Sequence, residues 1–151
     1  MSLFTRLSLA ALLAAASPVF AAGTEDTTPE SVATVGSYSD AKALIAQADY
    51  AAARDILKGI TAAEPGNADA WNLLGFSSRK MGDLRAASKA YIKALKINPG
   101  HLGALEYQGE MFIQMGEADK AKANLVTLQG LCGTCEEMQD LQQALAAAGI
   151  S

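Results

Sequence analysis

The chain is poor in the residues that do chemistry. Its 151 residues include one His, one Trp and two Cys. A lone His101 argues against a Ser–His or Cys–His catalytic system and leaves too few nitrogens for a multi-His metal centre. No Gly-rich loop follows a strand-like segment, and no acidic metal loop is present. No catalytic residue, cofactor or resident metal is therefore expected. Cations are in the minority, with 12 Lys and Arg against 16 Asp and Glu, which argues against general nucleic-acid binding. No N-x-Ser/Thr sequon occurs. Long apolar runs are also lacking. The longest, Leu7 to Ala16, is interrupted at Ser8 and falls well short of the ~20 residues that span a bilayer.

That short run reads as an export signal. Arg6 precedes it, Ser17 and Pro18 break it, and Val19-Phe20-Ala21 places β-branched and small residues at −3 and −1 of a cut after Ala21. Residues 1–21 are expected to be a cleavable signal peptide and the product periplasmic. No Cys lies near the cut, so no lipid anchor is indicated. Residues 22–37 are expected to be a flexible linker, because Gly23 to Ser31 is filled with Thr, Ser, Glu, Asp, Gly and Pro. Without Arg6, 11 cations face 16 anions, a balance that favours solubility.

From about residue 34 onward a 34-residue period sets the organisation. In the unit 68–101, Trp71, Leu74, Gly75, Ala87, Tyr91, Ala94 and Pro99 occupy positions 4, 7, 8, 20, 24, 27 and 32. A shift of 34 forward places Leu105, Gly109, Gly116 and Ala121 on Trp71, Gly75, Gly82 and Ala87. The same shift backward places Ala41, Ala48, Ala53, Leu57 and Pro65 on Gly75, Gly82, Ala87, Tyr91 and Pro99. Departures occur at Ser37, Asp40, Gln108 and Gly133.

This spacing resembles the tetratricopeptide repeat, a helix–turn–helix unit that stacks into a solenoid. The resemblance implies an all-α, right-handed superhelix of three helix pairs (34–67, 68–101 and 102–135) and a capping helix, in a domain over 38–151. The expected helices are 38–47, 50–63, 68–81, 84–97, 102–115, 118–131 and 135–148. Gly82-Asp83 and Gly116-Glu117 mark turns within repeats, and Pro65-Gly66 and Pro99-Gly100 mark turns between them. Trp71 is expected to be buried between the two helices of its repeat.

The resemblance also implies a binding scaffold whose partner is a protein or peptide, with no nucleic acid and no stable membrane insertion. An assembly or maturation helper in the cell envelope is one such role. By the family's geometry the concave groove is lined by Tyr38, Lys42 and Ile45, then by Asp69, Asn72, Phe76, Arg79 and Lys80, then by Glu106, Glu110, Ile113 and Gln114. The groove is expected to be basic at the second repeat and acidic at the third. Relatives that clamp a carboxylate use a Lys and Asn pattern that is not matched here, because Asn72 sits at position 5 and Gly103 and Tyr107 stand where basic residues would be.

Cys132-Gly133-Thr134-Cys135 stands outside the repeat pattern. Three readings stay open: a disulfide formed in an oxidising compartment, a redox-active pair, and a soft Cu(I) or Zn(II) site. The alternative to the scaffold is thus a thiol-redox or copper-handling carrier. Met111 and Met115, one turn apart, suit Cu(I) but also suit a core. Thr134 and Glu137 have the spacing of a capping box for the last helix.

Overall fold

Polar side chains start most of the helices. Ser37 caps α1 (Tyr38–Ala46) through a reciprocal box with Asp40. Asp49, Asn67 and Asp83 accept the N–H three residues on and open α2 (Tyr50–Ala63), α3 (Ala68–Lys80) and α4 (Leu84–Ile97). His101 does the same for α5 (Leu102–Gln114). Each such cap satisfies a donor that the first turn would otherwise orphan. Then follow α6 (Ala118–Cys132) and α7 (Glu136–Ala147). The computed structural model describes residues 36–151. The expected signal segment 1–21 and the linker up to residue 35 lie outside the described residues.

Among the described residues the chain is an all-α solenoid of seven helices: three antiparallel pairs and one further helix. Consecutive helices pack on each other all along the stack. In addition α3 touches α5 and α5 touches α7, whereas α4 and α6 make no comparable contact. So α3, α5 and α7 form an inner row, and α4 and α6 stand outside it.

Small residues let these helices approach. A Cβ added at Gly75 would stand 2.5 Å from Cε1 of Tyr91, a fully buried ring of α4. A Cβ at Gly109 would stand 2.6 Å from both methyls of Leu141 on α7. The core runs as three patches along the stack. The first gathers Ala41, Ala53, Leu57, Ile60 and Leu74, the middle one Ala87, Tyr91 and Met111, and the last Leu105, Leu128, Met138 and Leu141. Where the second repeat has Leu74 and Ala90, the third has Gln108 and Asn124. Asn124 donates to Gln108 and to the Leu105 carbonyl, so the buried amide of Gln108 keeps a partner.

Four local expectations change. Trp71 is only half-buried: it flanks the first core patch, and its indole N–H reaches the Pro65 carbonyl at 3.0 Å. The inter-repeat turn holds the ring at the edge. Thr134 is not the cap of α7, because Cys135 occupies that position without a side-chain cap bond. The turn directs the Thr134 carbonyl to Gln139 instead. Ile45 packs against the first core patch rather than standing free on the inner face. Finally, α7 does more than cap the stack. It begins 34 residues after α5, as α5 begins 34 after α3, and it continues the inner row.

Candidate functional site

The inner face is centred on an aromatic pair. Phe76 of α3 and Tyr107 of α5 have ring centroids 4.8 Å apart, and Tyr50 at the start of α2 meets Phe76 edge-on at 6.0 Å. All three rings are half-buried. The Lys80 ammonium lies 5.6 Å from the Phe76 centroid, and the Arg79 guanidinium lies over both Phe76 and Tyr107. Cations over ring faces are held by the ring quadrupole.

Beside this pair lies a concavity of about 260 Å³ lined by Arg79, Lys80, Glu110, Ile113, Gln114 and Ala144. Arg79 is only 6% exposed and forms an ion pair with Glu110. The expected division into a basic and an acidic half therefore does not survive intact. The Arg79 charge is spent on Glu110, Lys80 alone remains exposed, and the acidic end gains Glu137 and Asp140 from α7. Glu106 sits at that end, 6% exposed, and burial followed by the charges of Glu110, Asp140 and Glu137 pushes its carboxyl up to about 8. The same surroundings, with burial leading, push the Tyr107 hydroxyl up to about 12.

The remaining expected groove residues scatter. Asn72 is buried beside Gly103. Asp69 accepts a hydrogen bond of 2.9 Å from His101, whose Nδ1 takes the Ala104 N–H and so leaves the proton on Nε2. These two residues therefore tie α3 to the start of α5. Tyr38 is half-buried near Asp69, and burial and that carboxylate raise its hydroxyl. Lys42 stands exposed on α1, without a hydrogen bond or ion pair among the described residues. The structure thus gathers Phe76, Arg79, Lys80, Glu106, Glu110 and Gln114, and leaves Lys42 apart. Sequence reasoning missed Tyr50, Tyr107, Glu137, Asp140 and Ala144. Two of these were legible: carrying the period one step further puts Asp140 on Glu106 and Ala144 on Glu110.

Cys132 and Cys135 form a disulfide. Both are half-buried against the last core patch, and the bond closes the turn where Gly133 takes φ of 69°. Among the described residues no group of three or more His, Cys, Asp or Glu is placed to hold a metal ion. Met111 is fully buried in the middle patch, while Met115 ends α5 in solvent, so the two do not share a site. No described helix is long and apolar enough to cross a membrane.

The tetratricopeptide repeat family pattern matches residues 68–101. The solenoid is a tetratricopeptide-repeat fold. Among solved structures it is similar to the first tetratricopeptide domain of Spaghetti (RPAP3) bound to the HSP90 peptide SRMEEVD. That match has 16% identity and a TM-score of 0.65, and covers 74% of this chain and 89% of the other. It is equally similar to the Yersinia enterocolitica type III secretion chaperone SycD in complex with a peptide of the translocator YopD, with 19% identity, a TM-score of 0.65 and coverage of 74% and 88%. A further structure of the Yersinia enterocolitica type III secretion translocator chaperone SycD gives 19% identity and a TM-score of 0.66, covering 74% and 80%. No curated protein matches the chain in sequence. At these identities the likeness concerns the fold.

Proposed function

We propose that the chain is an exported tetratricopeptide scaffold that holds a protein or peptide partner on its inner face, as an assembly or maturation helper in the periplasm. The observation that carries this reading is the Phe76–Tyr107 pair, half-open and flanked by Lys80, on the inner row of α3, α5 and α7. Aromatic rings beside charged groups are the usual anchors of interfaces. Two solved structures of the same fold hold peptides, which favours the same use here. The basic, apolar and cleavable start of the sequence supports export. So does the disulfide, since such bonds persist in oxidising compartments.

The test is capture from a periplasmic extract with the wild type and two variants. Phe76→Ala and Lys80→Ala change exposed or half-exposed side chains and should leave helical circular dichroism unchanged. Arg79→Ala is a poor probe, because it strands Glu110. Phe76→Ala should reduce recovery of the partner about tenfold, in line with loss of an aromatic anchor. Undiminished recovery places the partner elsewhere. A thiol or copper carrier gains no support from the disulfide's position, which is a turn packed on the core.

A further inference from the structure

The outer helix α4 carries a charge pattern that the inner face leaves unused. It holds four of the chain's 12 Lys and Arg, namely Arg85, Lys89, Lys93 and Lys96, and no Asp or Glu. The acids gather elsewhere: α5 and α7 hold Glu106, Glu110, Glu136, Glu137 and Asp140 and no Lys or Arg. On α4 the cations recur at steps of four, four and three, so they share one helix face with Ile92. Arg85, Lys89 and Lys96 are exposed and Lys93 is half-buried, and none of the four forms an ion pair among the described residues. Ile92 stands 58% exposed among them. Val126, at the same position of the next outer helix, is 66% exposed. Two concavities meet at Lys89. One of about 400 Å³ is lined by Leu84, Arg85, Ser88, Lys89 and Met115. Another of about 270 Å³ sets Arg54, Lys58 and Trp71 beside Lys89. The Nε–H of Arg54 is buried without an acceptor among the described residues.

From the unpaired cations, the exposed Ile92 and the two cation-lined concavities, we infer that the outer face of α4 rests on a membrane surface containing anionic phospholipid. Arg85, Lys89, Lys93 and Lys96 meet the headgroup phosphates, and Ile92 dips among them. Charge complementarity selects an anionic occupant. A chain with 16 Asp and Glu against 12 Lys and Arg can approach a negative surface only through such a patch. Two features select lipid over an acidic protein segment. An apolar side chain ringed by unpaired cations meets both levels of a headgroup layer, the phosphates and the acyl boundary beneath them. The four cations also extend over about 16 Å of an outer helix, which suits a flat lattice of headgroups. This is adsorption and not insertion, because no described helix is long and apolar enough to span a bilayer. Contact through α4 leaves the inner row of α3, α5 and α7 open, so this inference stands or falls separately from the partner site. A lipid contact also gives no protein adduct on α4.

The experiment is sedimentation of the full-length protein with two kinds of vesicle, phosphatidylcholine alone and phosphatidylcholine with an equal part of phosphatidylglycerol. The comparison protein combines Arg85→Gln, Lys89→Gln, Lys93→Gln and Lys96→Gln. It shares every other residue, so any contact through residues 1–21 is common to both. Wild type should bind the anionic vesicles more than about tenfold more tightly than the neutral ones. It should come off in about 1 M salt, where the screening length falls to about 3 Å. Lys89→Gln and Lys96→Gln alone should each weaken binding about fivefold. The fourfold variant should bind the two kinds of vesicle alike. Ile92→Ser should weaken binding to anionic vesicles severalfold with the salt response kept. All of these changes lie on exposed or half-exposed side chains, melting curves check the fold, and the two single Lys variants serve if the fourfold one fails to fold. Equal binding of wild type and the charge variants to anionic vesicles overturns the inference, as does an Ile92→Ser variant that binds as well as wild type. Retention of wild type on poly-glutamate beads without binding to vesicles also overturns it and gives the stripe to an acidic protein.

Discussion

Replacing Gly75 by Ala tests the repeat packing at its tightest point. The new methyl would meet three ring atoms of Tyr91, at 2.5, 2.7 and 2.9 Å. Tyr91 is fully buried on α4, and its hydroxyl lies near Arg79 without a well-formed hydrogen bond, so the ring has no exit to solvent. Overpacking of this kind costs about 1–3 kcal/mol, and the absence of a swinging neighbour puts it at the upper end. Alanine recovers about 1 kcal/mol of helix propensity over glycine. The net loss should be about 1–2 kcal/mol, a fall of roughly 4–8 °C in melting temperature for a domain of this size. The first repeat supplies the control, because it carries Ala41 and Leu57 at the same two positions, both fully buried. Gly75→Ala with Tyr91→Leu copies that pair. The double variant should be more stable than the sum of the two single changes by about 1 kcal/mol or more. Urea melts of the four proteins close the cycle. Additive losses, or a Gly75→Ala variant more stable than wild type, would refute the packing argument.

Four further outcomes follow from particular residues. Ala48 sits at φ 59° where the aligned turns have Gly82 and Gly116 at 81° and 74°, so Ala48→Gly should stabilise by about 0.5–1 kcal/mol in urea melts. Trp71→Ala should cost about 2 kcal/mol rather than the ~3–5 of a fully buried aromatic, because the side chain is only partly buried at the edge of the core; a loss above ~4 in the same melts contradicts its edge position. Replacing both Cys132 and Cys135 by Ser should cost no more than about 2 kcal/mol, since the ring closed is very short, and amide exchange should rise first over 133–151. Glu106 keeps in the folded state a proton that the unfolded chain loses near 4.5, so its contribution to stability is whole below that pH and fades as pH rises to about 8. Glu106→Gln should flatten that decline, by no more than about 2 kcal/mol once solvent at the groove mouth is allowed for, in melting curves taken from pH 4 to 9.

The helices were readable in the sequence because their signals are local. Gly82-Asp83 and Gly116-Glu117 announce turns within repeats, Pro65-Gly66 and Pro99-Gly100 announce turns between them, and the 34-residue period ties them together. What escaped depends on contacts between repeats. Arg79 reads as a free groove cation until Glu110 from the next helix is placed against it. Glu106 reads as a groove acid until α7 packs on α5 across Gly109 and adds the charges of Asp140 and Glu137. Trp71 reads as core by its repeat position, but the Pro65 turn holds its indole at the rim. Thr134 has the spacing of a cap, but α7 starts at Glu136 and Cys135 takes that place.

The central claim is that the partner lies on the inner face, and site-specific photo-cross-linking tests it most directly. A benzoyl-phenylalanine replaces Phe76 on α3 in one strain and Ile92, 58% exposed on the outer helix α4, in another. After irradiation of intact cells, the account predicts a discrete adduct from position 76 and none from position 92. An adduct from position 92 alone would contradict it.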